Sequence, residues 1–399
     1  MEPTRIAGLA QLQAFTPRAK DYAAKRNFDL PGHPHVSLLS AYVSCRLISE
    51  QEILAHVLKN HSIPCVENFM QEVCWRTYWK GWLEMRPGVW KAYRSDLQSL
   101  AFDETQIRRA EQGQTGIECF DHWCRELIET GYLHNHARMW FASIWIFTLQ
   151  LPWQLGADFF FRHLLDGDAA SNTLSWRWVA GLQTAGKTYL ARAENIQRFT
   201  AGRFNPAGCL NESGPDLPPI PQTPKPDSSL FSDLPCEIAE SSGIRRGLLI
   251  LGDDLCLETS VLGGATFDSI AAGWDAKLQD EYAFSPQVLE FKSGAVADSL
   301  QRAANHWSLP SAAICDLQSD RWADSVEAWS LDQELEQIIC LHPGIGPWSE
   351  SLSRLRSQLP PTVHILEVIR HWDAAFWPHA TKGFFPFREK IPNVLKELI

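Results

Sequence analysis

The densest group of chemically useful side chains in these 399 residues is Leu164–Trp178, where Asp166 and Asp168 flank Gly167 and Asn172, Trp176 and Trp178 follow. Two carboxylates about a glycine form a turn that usually caps a helix or meets solvent. A carboxamide and two indoles just beyond it add hydrogen-bonding groups and stacking faces. A second group lies upstream, with Glu72, Trp75 and Arg76 at i, i+3 and i+4 on one helical face, which sets a carboxylate beside a large aromatic ring. A third is Thr130–Met139, whose His134, Asn135, Arg138 and Met139 fall on adjacent turns of one helix. His134 by itself reads as a hydrogen-bonded structural histidine, and Ser37 and Ser40 as helix-capping hydroxyls. The ten cysteines have neither the paired CxxC spacing of a zinc site nor the runs of a ferredoxin, so reduced thiols and no metal cluster are expected.

The elements that must position these groups divide the chain into three. Glu50–Asn60, Cys65–Met85, Ile117–Thr130 and His134–Leu151 place apolar residues at three- and four-residue spacings, so residues 1–204 read as a mainly helical domain. Residues 205–243 carry eight prolines, including Pro218, Pro219, Pro221, Pro224 and Pro226, and read as an extended linker. Residues 244–399 show short apolar runs at Gly247–Leu251, Val288–Phe291, Ala312–Cys315, Ile338–Leu341 and Val363–Val368, separated by helix-length stretches. That alternation predicts a smaller α/β domain with a parallel sheet. Gly252-Asp253-Asp254 and His342-Pro343-Gly344-Ile345-Gly346 would then lie at the carboxyl edge, where such sheets take ligands, but neither turn fits GxGxxG or a P-loop.

The net charge of -11 speaks against nucleic acid until its distribution is read. Residues 1–205 hold 22 Lys and Arg against 20 Asp and Glu, whereas residues 206–399 hold 14 against 27. A basic patch is therefore compatible only with the first part. No apolar run of membrane-spanning length and no leader-like start is visible, so a cytoplasmic protein without membrane contact is expected.

Taken in order from about Tyr22 to Asn205, these segments resemble the DNA photolyase and cryptochrome family, over half the chain. The resemblance implies a mainly α N-terminal FAD-binding domain with FAD as cofactor. Ser37, Leu39, Ser40 and Tyr22 match the segment that holds the FAD phosphates, with Val36 in place of a family threonine. Arg138 and Asp166 match a salt bridge beside the isoalloxazine ring, Asp168 an acceptor from the pyrimidine edge, and Asn172 the residue opposite N5. Glu72, Asn135 and Met139 match the side that receives a flipped pyrimidine dimer, with Trp75 and Trp178 as stacking surfaces and Phe69 in place of a family tryptophan. His136 stands where many relatives have arginine.

Trp176 and Trp153 match the first two members of the family's electron-transfer chain, while the third position falls near Leu100 and breaks it. The implied activity is light-dependent repair of cyclobutane pyrimidine dimers in UV-damaged DNA by electron transfer from excited reduced FAD. The alternatives are a cryptochrome-like blue-light receptor without repair and a flavin-free interaction module. The α/β part follows the helical part here, whereas the family usually begins with its antenna domain. Arg246–Leu255 faintly resembles the opening strand of that domain, and no motif supports a second antenna chromophore.

Overall fold

The fold is seen in a computed structural model that describes residues 1–183, 188–213, 223–239 and 243–399. Helices α1 (Arg5–Phe15), α2 (Ser40–Ser44), α3 (Glu50–Asn60), α4 (Ile63–Glu84), α5 (Pro87–Ser99), α6 (Glu118–Thr130), α7 (Asn135–Ser143), α8 (Trp153–His163) and α9 (Ala169–Val179) build most of the first part. Strong local signals start several of them. Ser49 and Glu52 form a reciprocal capping box before α3. The Asp168 carboxylate accepts from the Ser171 amide at 2.8 Å and starts α9. Helix α6 stops at Gly131, whose φ of 67° suits glycine, and a side chain there would collide with Leu165. That close approach seats the Asp166-Gly167-Asp168 turn against the corner between α6 and α7. A Cβ on Gly167 would lie 3.1 Å from the carbonyl oxygens of Phe161 and Leu164, a tight approach that favours glycine.

The second part is a five-stranded sheet of order β3-β2-β1-β4-β5, with every neighbouring pair parallel. Its strands are β1 (Arg246–Ile250), β2 (Ser269–Ala272), β3 (Ile314–Asp316), β4 (Gln337–Leu341) and β5 (His364–Val368). One expected strand is a helix: Val288–Phe291 lies inside α10 (Pro286–Trp307). Ser285 caps that helix and Pro286 occupies its first turn, a start signal that outweighs the short apolar run. The strand in its place, β2, is four small or apolar buried residues with no alternation to reveal it.

Pro218, Pro219 and Pro221 of the expected linker lie outside the described residues. Its later part runs along the helical body, where the Arg86 guanidinium donates to the Pro224 carbonyl at 3.0 Å and the Asp227 amide donates to the Met85 carbonyl at 3.1 Å. Beyond β4 come α11 (Pro347–Gln358), α12 (His371–Phe376) and α13 (Phe384–Arg388). No described helix is long and apolar enough to cross a membrane.

The carboxyl edge of the sheet is spent on holding the helical part. His342, after β4, lies between Glu367 and Glu84, 3.2 Å from the latter, and the Ile345 amide donates to Glu84 as well. Burial disfavours charge on His342, but hydrogen bonds to the two carboxylates outweigh it and raise its pKa to about 10. Lys292 of α10 donates to the Gly167 carbonyl at 3.1 Å, so the sheet domain braces the Asp-Gly-Asp turn directly. A buried ionic cluster completes the join. Arg46 contacts Glu50, Asp254 and Asp373, Arg370 holds Asp254, and Arg76 holds Glu50.

Candidate flavin and substrate site

One cavity of about 540 Å³ opens between α2, α4, α7 and α9, a size suited to a bound organic cofactor. Its walls contain Tyr22, Ser37, Leu39, Ser40, Arg138, Asp166, Asp168 and Asn172, and also Glu72, Trp75, Asn135, Met139, Trp176 and Trp178. Of the site residues expected from sequence, Trp153 alone is not in these walls.

Most of the charged groups in the wall are paired, Asp168 being the exception, bonded to the Ser171 amide. Arg138 and Asp166 form a two-pronged bridge of 3.0 and 2.8 Å, and Arg138 Nε donates to the Leu133 carbonyl at 2.8 Å. A bidentate fork fixes the guanidinium plane as well as its charge. At the opposite side Glu72 is ion-paired with Arg26, a residue that the sequence reading did not single out. Arg26 stands four residues beyond Tyr22, hence on the same helical face, and that spacing was the available signal. Burial and the nearby Glu72 carboxylate push the Tyr22 hydroxyl well above its ordinary value, with the Arg26 charge opposing them. Tyr22 therefore stays a neutral donor at any physiological pH.

The polar atoms aimed into the cavity suit a flavin. The Ser171 hydroxyl is buried with no hydrogen-bond partner, a costly state that a bound polar ligand would relieve. Asn172 is 8% exposed, and its amide donates to the Ala157 carbonyl at 2.8 Å. A carbonyl only accepts, so the Asn172 nitrogen must face Ala157. Among the described residues nothing donates to its oxygen, which is left as an acceptor for a ring N–H. Asn172→Asp would set a carboxylate against the Ala157 carbonyl in a buried site. The expected result is a loss of about 1–3 kcal/mol, seen as a lower urea midpoint at pH 8, with the loss shrinking as the new carboxyl protonates at lower pH.

The aromatic residues near the cavity fall into three sets. Trp176 meets Phe160 edge-on at 5.0 Å and Trp145 at 6.3 Å, whereas Trp153 stacks on Tyr93 at 5.5 Å, and Tyr93 in turn meets Trp90 at 5.4 Å. Trp75 lies face to face with Phe384 of α13, ring centroids 3.7 Å apart and planes 11° apart. Trp79 packs on Trp75 at 5.3 Å and joins the cavity wall. Phe384 was invisible in sequence because it is more than 300 residues from its partner.

The histidines stand apart from the cofactor cavity. His134 is fully buried and caps α7 by accepting from the His136 amide at 3.2 Å. Burial lowers its pKa to about 4, so it is neutral and structural. His136 stacks on Trp140 at 4.1 Å, bonds the Asn27 carbonyl at 3.0 Å and faces a neighbouring cavity.

A helical domain holding a cofactor-sized cavity, with a parallel sheet docked on it, defines the class. Residues 69–209 match the family described as the FAD binding domain of DNA photolyase. A deoxyribodipyrimidine photo-lyase of Alkalihalophilus pseudofirmus is 30% identical over 188 residues, covering 45% of this chain and 38% of that protein. One from a Synechococcus species is 33% identical over 191 residues, covering 45% and 39%. The solved cryptochrome of a Synechocystis species is similar at 25% identity with a TM-score of 0.45, over 50% of this chain and 43% of that one. The chain thus spans less than half the length of these relatives.

Proposed function

We propose that this chain holds FAD in the cavity and repairs cyclobutane pyrimidine dimers in UV-damaged DNA under blue light. The observation that carries the reading is that a single cavity brings the flavin-side group, Arg138, Asp166, Asp168 and Asn172, within one enclosure with Glu72, Trp75, Asn135, Met139 and Trp178. Reduced FAD, when bound, supplies an electron on absorbing light and takes it back once the dimer has split.

The chain's own groups do the rest. Asp168, Ser171 and Asn172 offer hydrogen-bonding atoms at the start of α9, and the Arg138–Asp166 fork closes the polar side of the pocket without leaving a bare charge. Ser37, Leu39 and Ser40 are the candidates for the phosphate side, where Leu38 turns the chain at a φ of 55°. Glu72, held by Arg26, has its second oxygen free to accept from a pyrimidine edge. Trp75 and Trp178 supply flat walls, and Asn135 and Met139 flank them. Such preorganised groups stabilise developing charge without reorganising at the moment of reaction.

The test is direct. Flavin-loaded, reduced protein is mixed with DNA containing a thymine dimer and exposed to blue light, and intact thymines are counted. Recovery of thymines in the light and none in the dark is expected. Bound FAD with no recovery would leave the cryptochrome-like receptor as the better reading. Failure to take up FAD at all would defeat both.

A further inference from the structure

The Asp166-Gly167-Asp168 turn has two faces. Gly167 and Asp168 line the cofactor cavity on one side and, on the other, a crevice of about 20 Å³ shared with Lys80, Asp253 and Lys292. That volume admits about one water, so the crevice is no ligand site, and its charged groups can act on the cavity only through the turn. Lys292 of α10 reaches the turn across 125 residues of sequence and donates to the Gly167 carbonyl at 3.1 Å. The start of α10 is fixed where this happens. The Ser285 amide donates to the Arg162 carbonyl at the end of α8 at 2.8 Å, and Phe284 packs on Phe161 at 5.6 Å. The Lys292 ammonium also lies 5.5 Å from the centre of the Phe284 ring.

Neither lysine forms an ion pair among the described residues: Lys292 is bonded to a neutral carbonyl, and Lys80 lines the crevice from α4. The Asp168 carboxylate caps α9 through a neutral amide. In the turn after β1, Asp254 is taken up by Arg46 and Arg370, whereas Asp253 lines the crevice. Burial raises the Asp253 pKa, the Lys80 and Lys292 charges oppose the rise, and Asp168 adds to it. Two cations and two carboxylates thus act on one another around the turn.

We propose that Lys292, supported by Lys80, is a positioning residue of the cofactor site: it holds the Asp-Gly-Asp turn in place and sets positive charge behind Asp168, so that the α/β domain tunes the reduction potential of the cofactor. The inference rests on the flavin reading of the cavity and not on DNA repair. Reduced isoalloxazine is anionic where the oxidised ring is neutral, and a fixed cation beside a partly buried site favours the anion. The Asp168 carboxylate in the wall works the other way. A lysine bonded to the neighbouring carbonyl offsets that charge without drawing Asp168 into an ion pair and away from the cavity.

The experiment compares the full-length protein with Lys292→Met, Lys292→Arg and Lys80→Met. For each, the affinities for oxidised and reduced FAD, the midpoint potential of the bound flavin and the urea midpoint of the flavin-free protein are measured. In Lys292→Met the affinity for reduced FAD is expected to fall roughly tenfold more than that for oxidised FAD. For a two-electron couple that ratio is a midpoint potential lower by about 30 mV. Lys292→Arg keeps the charge and a donor and should hold the ratio within about twofold of the parent. Lys80→Met should shift the potential the same way but less, since Lys80 has no bond to the turn. A lower urea midpoint with an unchanged potential in Lys292→Met would make Lys292 a brace alone and overturn the tuning. An equal fall in Lys292→Arg would overturn it too, because charge would not be the cause. Should Lys292→Met fail to fold, an unchanged potential in Lys80→Met has the same force. A parent protein that takes up no FAD would instead defeat the flavin reading on which the inference rests.

Discussion

Arg46→Ala is expected to cost about 3–5 kcal/mol of folding stability, a large share of the roughly 5–15 kcal/mol that holds a typical domain together. Arg46 is 3% exposed and gives two hydrogen bonds of 2.6 Å to Asp373, two of 2.9 and 3.4 Å to Glu50 and one of 3.1 Å to Asp254. With Arg76 and Arg370 it balances those three carboxylates, so the cluster is neutral as built. Removing one guanidinium leaves three buried carboxylates against two cations, and the exposed desolvation cost is what destabilises. Arg46→Lys keeps the charge but not the fork that reaches several partners at once, so its loss should be intermediate.

The pH dependence gives a second readout. Burial alone would raise the Glu50 pKa, but the Arg46 and Arg76 guanidinia outweigh it and lower it from 4.5 to about 2. A folded value below the unfolded one stabilises fully above about pH 4.5, and that contribution is lost as pH falls towards 2. In Arg46→Ala the Glu50 carboxyl moves back up, so acid unfolding should begin at higher pH than in the parent. Urea midpoints at pH 7 and an acid titration followed by far-UV circular dichroism measure both. An unchanged midpoint and an unchanged acid limb would show that the cluster does not hold the two parts together.

Local signals carried much of the helical part into the sequence reading, and long-range ones did not. Glu50–Asn60 was readable because its apolar positions recur at helical spacing, and the structure adds a capping box at its start. The Asp166-Gly167-Asp168 turn was readable because two carboxylates about a glycine signal a turn that caps a helix, and Asp168 does cap α9. In the sheet, Ser269–Ala272 was missed and Val288–Phe291 misassigned, since four-residue apolar runs do not distinguish a buried strand from one face of a helix. Arg46 met Asp254 and Asp373 across 208 and 327 residues, and Phe384 met Trp75 from the other end of the chain. No periodicity reports such pairs, because they follow from how finished elements dock. The candidate site shows the same division. Its motif-borne residues were in view, and the residues that hold those motifs, Arg26 for Glu72, Ala157 for Asn172 and Phe384 for Trp75, were not.

The Arg138–Asp166 pair is where stability and cofactor binding should come apart. Asp166→Ala leaves a guanidinium in the cavity wall with the Leu133 carbonyl as its remaining hydrogen-bond partner among the described residues. The expected cost lies at the lower end of about 3–5 kcal/mol, because the Arg138 side chain is 23% exposed and water screens part of the unpaired charge. Flavin should be lost as well, since a mobile guanidinium no longer shapes that wall. Removing both charges, as Arg138→Met with Asp166→Leu, takes away the uncompensated ion and should recover most of the stability. It should not recover the flavin, because the polar wall is gone. The double variant is therefore expected to show a near-parental urea midpoint and no flavin absorbance, a combination that a purely structural salt bridge does not produce. If Asp166→Ala retains parental flavin occupancy, or if the double variant binds FAD as the parent does, the pair plays no part in holding the cofactor and the site must be drawn around Asp168, Ser171 and Asn172 alone.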